Sequence, residues 1–176
     1  MYENNYPKKR YQLTLDFVNQ HIPKTDSILD LGVKNPLSQL LKLKGFDIQN
    51  TDGEDLDIDF LTVENSTADV VSAFEILEHL VAPFNVLSKI KSKKLIASVP
   101  LRLWFASAYK SKTDPWDRHF HEFEDWQFDW LLEKSGWEIN RTEKWNSPTN
   151  ELGIRPILRK FYPRYYVLEV DPFNAK

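Results

Sequence analysis

Three residues near the middle of the chain, Glu75, Glu78 and His79, stand at i, i+3 and i+4, which on a helix puts them on one face. Two carboxylates and an imidazole at that spacing can chelate Mg²⁺ or Mn²⁺, ions that prefer oxygen and accept one or two imidazoles. A later run, Arg118-His119-Phe120-His121-Glu122-Phe123, offers a fourth ligand, its two histidines sharing a face if extended. We take His121 for that ligand. Without a metal, His79 and His121 are the candidate proton acceptors, because activating a hydroxyl needs a base within reach. A structural histidine with satisfied hydrogen bonds is the plain alternative.

A second set of residues sits where short apolar runs end. Gly32 follows the run 27–31 and precedes a helical pattern, so its backbone can meet a ligand with no side chain in the way. Asp52 ends the next run, 20 residues on, where a carboxylate can accept two hydrogen bonds from ribose hydroxyls. A tight turn and a surface carboxylate would give the same pattern.

The elements that must position these residues alternate. Helical spacing at 11–22 comes first, then an apolar run at 27–31 and a short helix at 37–44 stopped by Gly45. Runs at 46–51 and 68–74 read as strands, with helices at 76–80 and 83–91 and a strand at 94–99. A helix at 122–135 carries Phe123, Trp126, Trp130 and Leu131 on one face, and strands at 137–144 and 165–170 close the chain. This is an α/β pattern: a doubly wound, mostly parallel sheet with helices on both faces and the last strand antiparallel. Ligands of such sheets bind beyond the carboxyl ends of the strands. That edge holds Asp30, Gly32, Asp52, Phe74, Glu75 and Pro100.

Composition sets the bounds. The chain has 176 residues with 41% hydrophobic and 28% charged, a globular composition that suits one domain over 1–176. Residues 1–24 form an N-terminal helical region, 25–100 a cofactor-binding half and 101–176 an acceptor-side half. No apolar run is long enough to span a bilayer and no signal peptide is visible, so a cytoplasmic location is expected. Cysteine is absent, which excludes disulfides, thiolate metal sites and a cysteine nucleophile. A net charge of −3 gives no indication of nucleic-acid binding over the whole surface.

Ile28-Leu29-Asp30-Leu31-Gly32 resembles motif I of the class I S-adenosylmethionine-dependent methyltransferases. Residues 45–52 look like their second strand with its ribose-binding acid, and 68–80 like their fourth strand and following helix. Residues 95–100 and 131–139 are similar to the fifth strand and the step into the sixth. The resemblance covers roughly residues 25–145. It implies a Rossmann-like fold, S-adenosylmethionine as cofactor and methyl transfer to an oxygen or nitrogen nucleophile of an unidentified acceptor. It gives Asp30, Gly32, Asp52, Phe74 and Glu75 to the cofactor and Asp57 to its adenine. The E-x-x-E-H of Glu75, Glu78 and His79 with a later histidine also resembles the metal-dependent small-RNA 2′-O-methyltransferases. In these a divalent ion lowers the pKa of the acceptor hydroxyl.

Two departures stand out. Lys34 and Pro36 occupy the positions of two further motif I glycines, where Lys34 could pair with the cofactor's carboxylate. Only four residues separate Asp52 from Asp57, so the family's second helix and third strand are expected to be reduced or absent. Both departures also fit a catalytically silent methyltransferase-like domain that acts as a binding or regulatory partner. A nucleotide-binding oxidoreductase fits less well, because the phosphate-cradling G-x-G-x-x-G is missing. On the acceptor side, Trp104, Phe105, Tyr109 and Trp116 lie among Arg102, Lys110, Lys112 and Arg118. Arg155, Arg159, Lys160 and Arg164 form a second basic cluster, fit for an anionic acceptor, nucleic acid or lipid surface.

Overall fold

The computed structural model describes residues 8–114, 117–147 and 152–173. Trp116 lies outside them. Six strands, β1 (Ser27–Asp30), β2 (Asp47–Asn50), β3 (Val70–Phe74), β4 (Lys94–Pro100), β5 (Trp137–Asn146) and β6 (Pro163–Pro172), form one sheet in the order β2-β1-β3-β4-β6-β5. β1 to β4 pair in parallel, and β6 runs antiparallel to both β4 and β5. The mixed α/β sheet and its antiparallel last strand are as the sequence indicates.

Alternate strand residues divide the core in two. Ile28, Val70, Ile96 and Val167 face α1 (Lys8–His21) and α2 (Pro36–Leu43), which bury Phe17, Val18 and Leu41 there. Leu29, Val71, Leu95 and Leu168 face α3 (Leu61–Glu64), α4 (Pro83–Leu87) and α5 (Asp125–Lys134). Central strands buried on both faces are why 68–74 and 94–99 read as continuous apolar runs.

Between β2 and β3 the chain forms only the single turn α3 and no strand, so β2 is an edge. The expected loss of the third strand and reduction of the second helix are both present. Other boundaries move. The helix expected at 83–91 closes after α4, and α6 (Ile154–Leu158) lies where no helix was read. α5 buries Phe128 and Leu132, an i, i+4 pair, and leaves Trp126 and Trp130 exposed. Those tryptophans therefore do not form its core face. Glu124 caps the helix jointly with Gln127, which puts Phe123 ahead of the first turn.

The helix expected at 76–80 is also different. It is a 3₁₀ turn over Leu77–His79, and Glu75 precedes it with φ +54°, a left-handed conformation uncommon outside glycine. Glu75 is held there by its N–H to the Ser98 carbonyl (2.9 Å) and by Ser98 Oγ and Arg10 on its carboxylate (3.0 and 2.8 Å). The shared helical face expected of Glu75, Glu78 and His79 is thus absent.

Candidate functional site

A cavity of about 600 Å³ opens at the carboxyl ends of β1, β3 and β4, within the range of small-molecule sites. Gly32, Val33 and Asn35 line one side, Phe74, Glu75 and Ile76 the floor, and Glu78, His79 and His119 the far end.

The Gly32 side is built by side-chain hydrogen bonds rather than by successive glycines. Gly32 has φ +96°, and a Cβ there would stand 2.9 Å from Ile76 Cδ1. Its N–H donates to Thr51 Oγ1 (2.7 Å). Asn35 caps α2, accepting from the Leu37 and Ser38 amides (2.9 and 3.0 Å), while Ser38 Oγ accepts from the Asn35 amide (3.1 Å). Pro36 is the first helical residue, where a missing N–H costs nothing. Lys34 is exposed and does not line the cavity. The two positions that depart from the glycine-rich pattern therefore make a capped helix start, and the cavity stays open.

Asp30 ties this loop to the sheet. Its carboxylate accepts from Ser72 Oγ (2.6 Å), Asn50 Nδ2 (3.0 Å) and Asn35 Nδ2 (3.4 Å). Burial pushes its pKa up to about 6, against the lowering effect of those three donors. A carboxyl whose folded pKa lies above its unfolded value favours folding most when protonated. Its contribution therefore falls as pH rises from about 4 to about 6 and is flat above, a loss of about 3 kcal/mol. Asp30→Asn removes that slope. Urea unfolding of both proteins at several pH values checks it: the stability difference in favour of the variant should grow from pH 4 to 6.

At the far end, His79 Nδ1 lies 3.0 Å from the Arg118 carbonyl and His119 Nδ1 2.8 Å from Glu122 Oε1. With those nitrogens donating, both Nε2 atoms keep a lone pair, and both stand near Glu78 Oε1, at 3.8 and 3.9 Å. Glu78 is fully buried, and its Oε2 has no hydrogen-bond partner. Burial, then Glu75, raises the Glu78 pKa well above the usual carboxylate range. Burial, then His119, lowers that of His79. Both shifts favour the uncharged forms of Glu78 and His79 over an ion pair between them. Burial pushes Glu122 up, but His119, the Tyr109 amide and Arg164 outweigh it and bring its pKa to about 2. It stays an anion that orients the His119 ring.

The structure uses several expected residues differently. Glu78, His79 and His119 place one ligand atom each within 4.8 Å of one another, which makes them a candidate metal group among the described residues. Glu75 is not in it, because Arg10 and Ser98 take its carboxylate. His121 is not in it either. The amides of Phe120 and His121 both donate to the Glu78 carbonyl (2.8 and 3.2 Å), which turns the chain and breaks the expected alternation. His119 enters the site, while His121 stays at the surface with Nε2 3.2 Å from the Val81 carbonyl. Each histidine has a glutamate three residues on, so the sequence carries no signal that separates them.

Asp57 does not line the cavity, and its two oxygens accept the Val81 and Ala82 amides (2.9 and 2.8 Å). It fixes the turn into α4, and both of its oxygens are engaged there instead of facing the cavity where an adenine was expected. Asp52 is exposed beyond β2 and outside the cavity lining. The next residue, Gly53, lies under Val33, whose Cγ1 would stand 2.6 Å from an added Cβ. Sequence reading passed over Arg10, which reaches the cavity from α1, and Glu54, both of whose oxygens are buried without a partner.

No family model matches the chain, and no curated protein matches it by sequence. Many solved structures share the fold. A chain from the complex between the Haloferax volcanii Trm112 methyltransferase activator and a methyltransferase superposes with TM-score 0.62 at 12% identity, covering 96% of this chain and 92% of that one. A SAM-dependent methyltransferase from Archaeoglobus fulgidus gives 0.60 at 15% identity, covering 92% and 94%. The [4+2]-cyclase SpnF gives 0.58 at 13% identity, covering 98% and 85%. The last has the fold and carries another reaction's name, so fold alone does not fix the chemistry.

Proposed function

We propose that this chain, which has the fold of the class I S-adenosylmethionine-dependent methyltransferases, binds S-adenosylmethionine and transfers its methyl group to an oxygen or nitrogen nucleophile. The observation that carries the reading is the open cavity at the strand ends, walled by Gly32 and ending at two imidazoles. The residues fit the cofactor: Gly32 gives backbone access, Phe74 and Ile76 an apolar floor, and Asp52 stands next to the loop that closes over Gly53. When bound, the cofactor supplies a sulfonium methyl for in-line displacement. Asp30 holds the Gly32 loop, and Asp52 accepts hydrogen bonds from ribose hydroxyls. His79 or His119 takes the acceptor's proton at Nε2, the ring held by Arg118 O or Glu122.

The contrast between two aspartates tests the assignment. Asp52→Ala is expected to weaken S-adenosylhomocysteine about tenfold or more, the loss of hydrogen bonds to a charged group, with little change in stability. Asp57→Ala is expected to cost about 1–3 kcal/mol of stability and leave the affinity unchanged. Calorimetric titration and urea unfolding read the two effects. Equal affinities for wild type and Asp52→Ala remove the ribose assignment.

A second reading, methyl transfer assisted by a divalent cation, is favoured by one observation: Glu78 has one buried oxygen, Oε2, without a donor and the other, Oε1, 3.8 and 3.9 Å from the Nε2 atoms of His79 and His119. Glu78, His79 and His119 would hold the ion, which would lower the pKa of an acceptor hydroxyl. Mn²⁺ or Mg²⁺ titration is expected to show binding that His119→Ala loses, whereas His121→Ala keeps it. Absence of binding to wild type leaves the two imidazoles as bases.

A further inference from the structure

A second surface borders the cavity without belonging to it. α6 buries none of its residues, and Leu152, Ile154, Ile157 and Phe161 are 101%, 78%, 55% and 74% exposed. Arg155, Arg159 and Lys160 are interleaved with them, and no acid occurs from 154 to 168 in a chain whose net charge is −3. Trp104, 69% exposed, packs edge-on against Tyr162 (6.3 Å) beside this segment. Aliphatic side chains held in water gain free energy by entering an apolar medium, and cations among them gain it at an anionic boundary.

We propose that residues 152–162, together with Trp104, seat the protein on an anionic phospholipid surface. Apolar insertion and basic attraction are the two signals that stable interfacial binding needs. Trp and Tyr are the rings favoured at the headgroup level. A nucleic acid would satisfy the cations and could stack on Trp104 or Phe161, but it would leave the exposed aliphatic side chains of Leu152, Ile154 and Ile157 in water, whereas an acyl boundary takes them up. α6 leads into β6, whose Arg164 and Tyr165 line the cavity, so a bilayer at this surface lies beside the cavity wall. No helix of the described residues is long and apolar enough to cross a membrane.

Co-sedimentation of the 176-residue chain with vesicles tests this without cofactor or acceptor. The protein is expected to bind phosphatidylcholine vesicles containing phosphatidylglycerol and to bind pure phosphatidylcholine about tenfold or more weakly. Arg155→Glu/Lys160→Glu and Ile154→Ser/Phe161→Ser alter exposed side chains and should each reduce binding about tenfold or more. Circular dichroism verifies that both remain folded. No binding by wild type, or equal binding by all three proteins, overturns the proposal. So does binding of single-stranded RNA that the charge reversal abolishes and the serine pair leaves intact.

Discussion

Gly32→Ala should abolish measurable S-adenosylhomocysteine binding and lower stability by about 1–3 kcal/mol. The larger cost of that one methyl group is backbone strain, since Ile76 Cδ1 is the end of a flexible side chain. The backbone is at φ +96°, where a side chain is strained, and the added Cβ would stand 2.9 Å from Ile76 Cδ1. Relief requires Ile76 to move or the loop to shift, and Ile76 and the loop both line the cavity. The loop has little freedom, because Thr51 takes the Gly32 amide and Asp30, Asn35 and Ser38 fix the residues that follow. Calorimetry and urea unfolding measure the two effects separately. Wild-type affinity in Gly32→Ala would show that the ligand does not approach this backbone.

Arg10→Ala should cost about 2–4 kcal/mol, more than a surface ion pair is worth. The Arg10–Glu75 pair is largely shielded, with side-chain exposures of 20% and 13%. Arg10 also lies over the Tyr165 ring at 5.1 Å. Without it, Glu75 remains in its left-handed conformation beside Glu78 and has only Ser98 to hold its carboxylate. Adding Glu75→Gln removes the unpaired charge, so the double variant should regain a large part of the loss. Urea denaturation of the four proteins of this cycle gives the coupling. Additive single effects would mean that the pair does not fix the end of β3.

The sheet was legible because burial writes itself into sequence. Val70, Val71 and Ala73, or Leu95, Ile96 and Ala97, are apolar on both faces because helices cover both. The shortened crossover was legible too, since a strand and helix do not fit between Asp52 and Asp57. The site was harder to read, because its chemistry depends on backbone conformations that residue types do not specify. Glu75, Glu78 and His79 have helical spacing, yet Glu75 adopts a positive φ that its contacts to Ser98 and Arg10 hold in place. His119 rather than His121 turns inward because the Phe120 and His121 amides both meet the Glu78 carbonyl, a contact across 42 and 43 residues of sequence that no local pattern carries. Asp57 has the right type for a ligand contact and serves a turn at 81–82 instead. The tryptophans of α5 mislead for a related reason: large apolar residues at i, i+4 usually face a core, but here Phe128 and Leu132 fill it first.

The central claim, a cofactor site at the strand ends, is tested most directly by calorimetric titration of the purified protein with S-adenosylhomocysteine. The account predicts one site per chain with micromolar affinity, about 8 kcal/mol of binding free energy. No detectable binding at millimolar ligand would contradict it and leave a methyltransferase-like domain that works through a partner.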